Sequence, residues 1–302
     1  MTFPQISPQN SQNKLEFTVL QNISGADSQV EIIETRQTKL VLKTFIQRKL
    51  NQKKLNPVAK RNWEYFYHLE LQNLGLRHLE FVHLDKVQKD QLCMNYLENL
   101  QTFAKITDQN QFANLGKFVR NLMKISQKSN TKLVSENGVE TREKDEYFIW
   151  LRNFVKNRTM ENHFLQKALQ IIEELRQKTE YLTLLHSDFH TNNIGLVDDQ
   201  ILLFDSGQCP YLFGHPYHDL TRQVMYEPSG IIFENEEMSP NLSAFLKPLQ
   251  EFVTDPDFLK FCYLQSILIK NNTFVSRRRE ITEYLFSKLS WNKPKSLNKF
   301  KV

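Results

Sequence analysis

The first third of the chain alternates between apolar and polar residues in short segments, which is the pattern of half-buried β-strands. Three such segments, 15–20, 29–35 and 39–45, follow one another with short turns between them. Two more segments with strand character, 80–84 and 91–96, come after an intervening helix. The pattern therefore predicts a five-stranded antiparallel sheet in the first part of the chain.

Helical periodicity marks the intervening segment and most of the chain beyond the strands. Residues 58–73 carry apolar side chains at helical spacing, Pro57 suits a first turn, and Gly75 predicts the end of the helix. Helix-like stretches return from residue 110 and continue to about residue 285. Residues 126–146 are polar and charged, which predicts an exposed insertion. The expected fold class is α+β, with a strand-rich first part and a mainly helical second part.

One short stretch in the helical part has the pattern of a β-hairpin. Residues 194–197 and 201–204 are rich in β-forming residues, and a polar connection separates them. Antiparallel pairing of the two runs places Asn193, just before the first, beside Asp205, just after the second. An amide oxygen and a carboxylate held together form a site that suits Mg²⁺. Asp188 lies one short loop upstream, where it can accept a proton from an attacking hydroxyl.

The residues that lead into this hairpin resemble a known catalytic signature. The chain reads His186-Ser187-Asp188-Phe189-His190-Thr191-Asn192-Asn193. This run is similar to the His-Gly-Asp-Leu-His-Pro-Gly-Asn signature of the aminoglycoside phosphotransferase and choline kinase family, which are small-molecule kinases of the protein-kinase-like superfamily. Ser187 and Asn192 stand where that family usually has glycine. Ser206 replaces the aromatic residue that is common after the metal-binding aspartate.

A second resemblance lies downstream of the hairpin. Residues 207–220 are similar to the family's Gly-x-Pro-x-x-Asp-Leu segment. The resemblance makes Asp219 a buried structural acid that braces the catalytic loop and takes no part in the chemistry. Over the whole chain the likeness extends from about residue 15 to about residue 285, and it is strongest at 186–220.

The resemblance implies a bilobal protein-kinase-like fold with ATP bound between the lobes. Residues 15–97 are expected to form a nucleotide-binding N-lobe that contains the five-stranded sheet and one helix. Residues 98–302 are expected to form a mainly helical C-lobe that carries the catalytic hairpin and the substrate-binding helices. Residues 1–14 are expected to be a flexible arm.

The resemblance also assigns residues to the phosphate end of the nucleotide site. Lys43, on the third strand, takes the place of the lysine that holds the α- and β-phosphates. Glu64, on the following helix, is its candidate partner, and the alternative for Glu64 is a solvated helix face. Ser24 and Gly25 take the place of the loop that covers the phosphates.

The adenine end of the site is assigned in the same way to the segment that links the lobes. Met94 stands at the position that lines the back of the adenine pocket. In such a hinge the main chain recognises the base, here through the carbonyl of Asn95 and the amide of Leu97. Main-chain groups point the same way whatever the side chains are, so these assignments depend on the resemblance alone.

The activity that the resemblance implies is transfer of the γ-phosphoryl group of ATP to a hydroxyl of a small molecule. Asp188 would orient and deprotonate the hydroxyl, and Asn193 and Asp205 would hold Mg²⁺. The sequence leaves four classes of acceptor: an aminoglycoside, choline or ethanolamine, an amino alcohol, and a sugar. Acidic residues at 234–237 could receive a cationic acceptor, or they could form a solvated loop.

Two other functions fit parts of the sequence. A protein kinase is one alternative, but no long activation loop or Ala-Pro-Glu motif follows Asp205. A catalytically silent nucleotide-binding protein is another, since Ser206 and the scarcity of glycine depart from the family pattern. Survival of the lysine, both aspartates and the asparagine together favours an active enzyme.

Composition adds limits on class and partners. The chain has 302 residues, of which 40% are hydrophobic and 24% charged, as in globular proteins. The net charge of +5 fits binding of a polyphosphate without demanding it. No basic array with interleaved aromatic residues is present, so we expect no nucleic-acid partner. The oligomeric state is left open by the sequence.

The cysteines and the N-terminal segment bear on location. Cys93, Cys209 and Cys262 are widely spaced and form no Cys-x-x-Cys pair, which is typical of a reduced intracellular protein. The N-terminus lacks the pattern of a signal peptide, and no apolar run approaches the ~20 residues needed to span a bilayer. We therefore expect a cytoplasmic protein without a membrane span.

Overall fold

The computed structural model describes residues 18–24, 28–36, 38–46, 56–83, 87–158, 161–207, 209–226 and 239–268. Its strands are β1 (Thr18–Ser24), β2 (Ser28–Glu34), β3 (Lys39–Phe45), β4 (Gln91–Asn95), β5 (Gln101–Thr102), β6 (Asn130–Ser135), β7 (Gly138–Glu143), β8 (Thr183–Leu184), β9 (Ile194–Val197), β10 (Gln200–Leu203) and β11 (Phe213–Gly214). Its helices are α1 (Pro57–Asn73), α2 (Gln109–Ile125), α3 (Lys144–Lys156), α4 (Asn162–Lys178), α5 (Tyr217–Tyr226), α6 (Pro240–Leu246), α7 (Gln250–Val253) and α8 (Pro256–Leu268). The expectations for residues 1–14, Gly25, 234–237 and the chain beyond 268 lie outside the described residues.

Strands β1 to β4 form one antiparallel sheet in the order β1-β2-β3-β4. β3 lies inside this sheet, and Lys43 near its middle stands opposite Val30 of β2 and Leu92 of β4. The side chain of Lys43 points into the protein, because the residue is only 6% exposed. An interior strand therefore carries a buried lysine, which needs charged partners.

The predicted fifth strand of this sheet is wrong in its extent. Phe81 pairs with Met94 as a single bridge, and the amide of Val82 donates to the carbonyl of Cys93 at 2.8 Å. This contact covers too few residues to make a regular ladder. Among the described residues the sheet has four regular strands, and the segment predicted at 80–84 only lengthens one edge of it.

The helix predicted between the strands is α1, and both of its ends follow the sequence signals. Asn56 caps the first turn, because its side-chain oxygen accepts a hydrogen bond from the amide of Ala59 at 2.7 Å. Pro57 is the first helical residue. The chain leaves the helix through Gly75, whose φ of +69° is left-handed. The predicted helix is therefore confirmed.

One face of α1 is part of the C-lobe core. Trp63, Tyr67 and Leu71 are fully buried and belong to the same apolar cluster as residues of α2, α3, α4, α5 and α8. Within that cluster α2 packs on α6, and α5 packs on α8. No helix in the described part of the chain is both long enough and apolar enough to cross a membrane.

The hairpin predicted in the helical part of the chain is confirmed as β9 and β10, which pair antiparallel along their whole length. Asp198 and Asp199 connect the strands, with φ values of +49° and +59°. Two consecutive left-handed residues match the right-handed twist of the strands they join. On its other side β9 pairs with β5, so the hairpin is fixed to the segment that follows β4.

The exposed insertion predicted at 126–146 is confirmed only in part, because residues 127–130 and 140–143 are exposed but other positions are buried. This part of the chain forms a second hairpin, β6 and β7, which pair from Ser135 with Gly138 to Asn130 with Glu143. Thr131 is 0% exposed and Val134 is 1% exposed. Polar residues dominate the sequence here because one face of a two-stranded hairpin stays in solvent, while a few positions of β6 are buried.

We predict that any side chain at Gly207 destabilises the fold. Its φ is +105°, and a Cβ atom at this position would lie 3.1 Å from the ring of Trp63. Gly207→Ala should lower the free energy of unfolding by about 1–3 kcal/mol, through backbone strain and crowding of a packed core. Urea unfolding measures this change.

Gly75→Ala is the matched control for this substitution. Gly75 has a φ of +69°, but nothing lies within 4 Å of its Cβ direction. The control should cost only about 1 kcal/mol, the strain of a left-handed residue in open space. Equal losses in the two variants would show that the contact between Gly207 and Trp63 is not restrictive.

Candidate active site

The hairpin of β9 and β10 brings the three polar residues of the predicted catalytic centre together. The amide of Phe204 donates to the carbonyl of Asn193 at 3.1 Å, which closes the open end of the hairpin. The side-chain nitrogen of Asn193 donates to the carbonyl of Asp205 at 3.2 Å and to the carboxylate of Asp188 at 3.3 Å. Asp188, Asn193 and Asp205 are thus direct neighbours.

Lys43 and Glu64 join this group from the N-lobe. The Nζ atom of Lys43 lies 2.6 Å from a carboxylate oxygen of Glu64 and 2.9 Å from one of Asp205. Glu64 is 1% exposed, so it is not a solvated helix residue. The ion pair joins β3 to α1 and to the loop after β10. The sequence-predicted pairing of Lys43 with Glu64 is therefore present.

The electrostatics keep Lys43 and Asp205 ionised. Burial lowers the pKa of the Lys43 ammonium, but the carboxylates of Glu64 and Asp205 outweigh burial and raise that pKa above 10.5. The positive charge of Lys43 in turn lowers the pKa of Asp205 below 3.8. At neutral pH the site therefore holds a charged lysine beside an ionised Asp205, while burial raises the pKa of Glu64 against the lowering effect of Lys43.

The loop before Asp188 is held by Asp219, at the start of α5. The carboxylate of Asp219 accepts hydrogen bonds from the amides of His186 at 2.5 Å and Ser187 at 2.9 Å. Ser187 has a φ of +60°, a left-handed conformation that explains why the resembling family carries glycine at this position. The role predicted for Asp219, bracing the catalytic loop, agrees with these contacts.

His186 joins the loop to the end of the catalytic hairpin. Its Nε2 atom lies 2.9 Å from the carbonyl oxygen of Phe204 and donates to it. Burial lowers the pKa of His186 to about 4, so the imidazole is neutral at pH 7. The ring also packs edge-on against Tyr67 of α1, with 5.5 Å between ring centroids. His186 therefore has a structural role.

The oxygen donors of the site fit a magnesium ion. Asp205 shares one carboxylate oxygen with Lys43, yet its side chain is 58% exposed, which leaves room for a ligand. The nitrogen of the Asn193 amide is used by its hydrogen bonds, so the oxygen is the atom of this amide that can bind a metal ion. In the described part of the chain no three His, Cys, Asp or Glu residues converge as a metal centre. Mg²⁺ needs only one or two protein oxygens when phosphates and water complete its shell.

Sequence reasoning missed one charged residue in this centre. Arg222 of α5 forms an ion pair with Asp188 through Nη2, and its side chain is only 14% exposed. His190 lies 3.7 Å from the same carboxylate. The signal in the sequence was the spacing of Arg222 from Asp219, since residues three apart share one face of a helix.

The predicted adenine end lies at the junction of the sheet with the catalytic hairpin. Met94 is buried in an apolar cluster with Leu92 of β4 and Leu202 of β10, and Leu97 packs against this cluster. The main-chain amide of Asn95 donates to the carbonyl of Glu80 at 3.1 Å, and its side chain donates to that glutamate's carboxylate at 2.8 Å. Ser24 is the last residue of β1.

The arrangement of a four-stranded sheet and one helix over a helical body is the bilobal protein-kinase-like fold. The chain is similar to choline kinase LicA from Streptococcus pneumoniae, at 16% identity and a TM-score of 0.56, over 89% of this chain and 94% of that one. It is also similar to a thermostable mutant of aminoglycoside phosphotransferase APH(4)-Ia, at 11% identity and a TM-score of 0.60, over 92% and 96% of the two chains.

A third solved structure extends the comparison. Amicoumacin kinase hAmiN matches at 14% identity and a TM-score of 0.52, over 89% of this chain and 88% of that one. No protein-family model matches the chain, and no curated protein matches it in sequence. The likenesses confirm the predicted α+β, kinase-like fold class.

The ion pair of Lys43 with Glu64 supports a stability prediction. Lys43→Met leaves a buried carboxylate without its partner, which should lower the free energy of unfolding by about 3–5 kcal/mol. The double variant Lys43→Met/Glu64→Leu should recover a large part of this loss, because an apolar pair needs no charge compensation. Urea unfolding compares the two variants with wild type, and equal stability of the single and double variants would contradict the prediction.

The stability difference between wild type and Lys43→Met should depend on pH. The folded-state pKa of Asp205 is lowered, so its contribution is present above 3.8 and is lost as the pH falls through the folded value. The folded-state pKa of Lys43 is raised, so its contribution is present below 10.5 and is lost as the pH rises through the folded value. The difference in melting temperature between the two proteins, measured from about pH 3 to about pH 11, should be constant around neutral pH. It should become smaller towards both ends of this range. A difference that grows in acid would contradict this assignment.

Proposed function

We propose that the protein is an ATP- and Mg²⁺-dependent phosphotransferase that moves the γ-phosphoryl group to a hydroxyl of a small molecule. The observation that carries the proposal is the contact of Lys43 with Glu64 and Asp205 beside Asp188 and Asn193. Phosphoryl transfer depends on positioning and charge stabilisation, which such a group of residues supplies. LicA has been solved with AMP, and APH(4)-Ia with AMP-PNP and hygromycin B, which supports a nucleotide site in this fold.

Each residue of the centre has one role in the proposed reaction. Lys43, held in place by Glu64 and protonated because its pKa is raised, contacts the α- and β-phosphates. Asn193 and Asp205 hold Mg²⁺, which neutralises charge on the phosphates when it is bound. Asp188 orients the acceptor hydroxyl and accepts its proton at a carboxylate oxygen.

The other nucleotide contacts come from the edge of the cleft. We assign the back of the adenine pocket to Met94, and recognition of the base to the carbonyl of Asn95 and the amide of Leu97. The apolar cluster around Met94 supports this assignment, since an adenine ring needs a flat apolar pocket. The loop that begins at Ser24 and Gly25 would cover the phosphates. The lobe boundary after Leu97 and the cytoplasmic location stay predictions.

The acceptor belongs to one of the small hydroxylated classes named above. Arg222 bears on the choice because its guanidinium lies against Asp188. An ammonium group next to the reacting hydroxyl would have to compete with this guanidinium for the carboxylate of Asp188. We therefore expect a sugar-type acceptor to be used better than a polycationic aminoglycoside.

A catalytically silent nucleotide-binding protein is the second candidate. The observation that favours it is the ion pair of Arg222 with Asp188, which occupies an oxygen that the proposed base needs. An enzyme must loosen this contact when the acceptor binds, whereas a silent binder need not. Binding of Mg-ATP without transfer to any hydroxylated acceptor would support this second candidate over the first.

The test of the proposed function combines binding with turnover. Thermal stability should rise with ATP and Mg²⁺ together, because a ligand that binds only the folded state stabilises it. ADP release should appear with one member of a panel of sugars, amino alcohols, choline-type alcohols and aminoglycosides. No stabilisation at millimolar nucleotide would count against an ATP site.

Asp188→Asn separates the base from the nucleotide site. This variant should lose about 10²–10⁴-fold in turnover, because the acceptor hydroxyl keeps its proton, while Mg-ATP stabilises it as much as wild type. Asp199→Asn removes one exposed carboxylate from the turn of the same hairpin and is the matched control, with turnover unchanged. Undiminished turnover in Asp188→Asn would remove Asp188 from the mechanism.

A further inference from the structure

The turn between β6 and β7 is hydrogen-bonded to α1 at Asn62, two residues before Glu64. The side-chain nitrogen of Asn62 donates to two consecutive carbonyls of that turn, of Ser135 at 2.8 Å and of Glu136 at 3.2 Å. Its oxygen accepts from Arg61 at 2.7 Å. Asn62 is 1% exposed, so these bonds form away from water. Because both the nitrogen and the oxygen of this buried amide form hydrogen bonds, Asn62 fixes α1 relative to the turn of hairpin β6–β7.

Two more contacts attach the same hairpin to the ends of α1. At the start of the helix, the side chain of the capping residue Asn56 donates to the carboxylate of Glu136. Near its end, Glu70 forms an ion pair with Lys132 of β6. Asn62 and Glu70 are eight residues apart, which is about 12 Å along a helix. The hairpin therefore supports the helix along its length and not at one point.

The edge of β6 that does not pair with β7 contacts the chain that follows hairpin β9–β10. The hydroxyl of Thr131 donates to the carbonyl of Phe213 at 2.6 Å, and the amide of Val134 donates to the carbonyl of Pro210 at 2.8 Å. Phe213 and Pro210 lie shortly after Asp205 in the sequence. One hairpin thus joins the helix of Glu64 to the segment after Asp205.

We propose that hairpin β6–β7 is a fixed strut that holds α1 where Glu64 meets Lys43, and that Asn62 is the positioning residue through which it acts. The inference rests on the proposed function, since it assigns the strut to the nucleotide site. A helix held along its length by the C-lobe has no need of a modification or a partner protein to bring its glutamate to the lysine. The phosphate end of the site is therefore assembled before the nucleotide arrives.

Two substitutions each remove one attachment of the strut, the first to α1 and the second to the segment after Asp205. Asn62→Leu keeps the side-chain size but removes both donors, and Thr131→Val removes the hydroxyl that holds β6 to Phe213. Each should weaken binding of Mg²⁺–AMP-PNP about tenfold, as expected when one buried hydrogen-bonded contact no longer holds the bound geometry. Titration calorimetry measures the affinity. Amide hydrogen exchange should also become faster across α1 in both variants.

Tyr263→Phe is the matched control. It removes another buried hydroxyl that donates to a main-chain carbonyl, that of Phe164 at 2.9 Å, in a contact between α8 and α4. The control should lower the melting temperature to a similar degree without changing nucleotide affinity or exchange in α1. Equal losses of affinity in Tyr263→Phe and Asn62→Leu would overturn the proposal, because general destabilisation would then explain both.

A double-substitution cycle separates positioning from any direct contact. In a Glu64→Gln background, Asn62→Leu should weaken nucleotide binding no further, since the strut acts through Glu64. Full additivity of the two losses would overturn the role of Asn62. If wild type does not bind Mg²⁺–AMP-PNP, the proposed function fails, but hydrogen exchange still tests whether the hairpin holds α1. Faster exchange of α1 in Asn62→Leu would support the strut, and unchanged exchange would overturn it.

Discussion

The rest of the structure depends on the ion cluster of Lys43 with Glu64 and Asp205. A lysine buried at 6% exposure is stable only if its charge is compensated, and each of its two carboxylates comes from a different part of the chain. The sheet, helix α1 and the loop after β10 must therefore meet within 3 Å of one nitrogen atom. No one of these elements can form the cluster alone, so its charges fix the sheet and α1 against the loop after β10.

Helix α1 is the element that makes this geometry stable. By sequence order it belongs with the N-terminal strands, but Trp63 and Tyr67 are buried in the core of the C-lobe. Trp63 rests on Gly207, two residues after Asp205, and Tyr67 packs against His186. The glutamate on the helix and the aspartate on the loop are therefore positioned by the same packed surface.

The parts that the sequence could predict are those whose partners are near in the chain or matched by the family signature. Pairing of β9 with β10 is local, so it brings Asn193 to Asp205 by geometry alone. The meeting of Lys43 with Glu64 came only from the resemblance. The pairing of Arg222 with Asp188 and the docking of β6 on α1 involve residues far apart in the chain, and polar side chains carry no periodic signal of burial. For the same reason residues 126–146 looked exposed. Residues 80–84 looked like a full strand because apolar and polar residues alternate there, although only a single bridge forms at Phe81.

The charges of the cleft bear on how a nucleotide would enter it. Among the described side chains, Glu64, Asp188 and Asp205 outnumber the two cations that touch them, Lys43 and Arg222. A polyphosphate placed here without a metal ion would meet carboxylates at short range, and Asp205 would repel it most because its side chain is largely open. A divalent cation would reverse the sign of this interaction if Asp205 and Asn193 hold it as proposed. In the proposed reaction the metal ion and the nucleotide therefore bind as one unit. Lys43 serves to orient the phosphates more than to attract them, because its charge already interacts with two carboxylates.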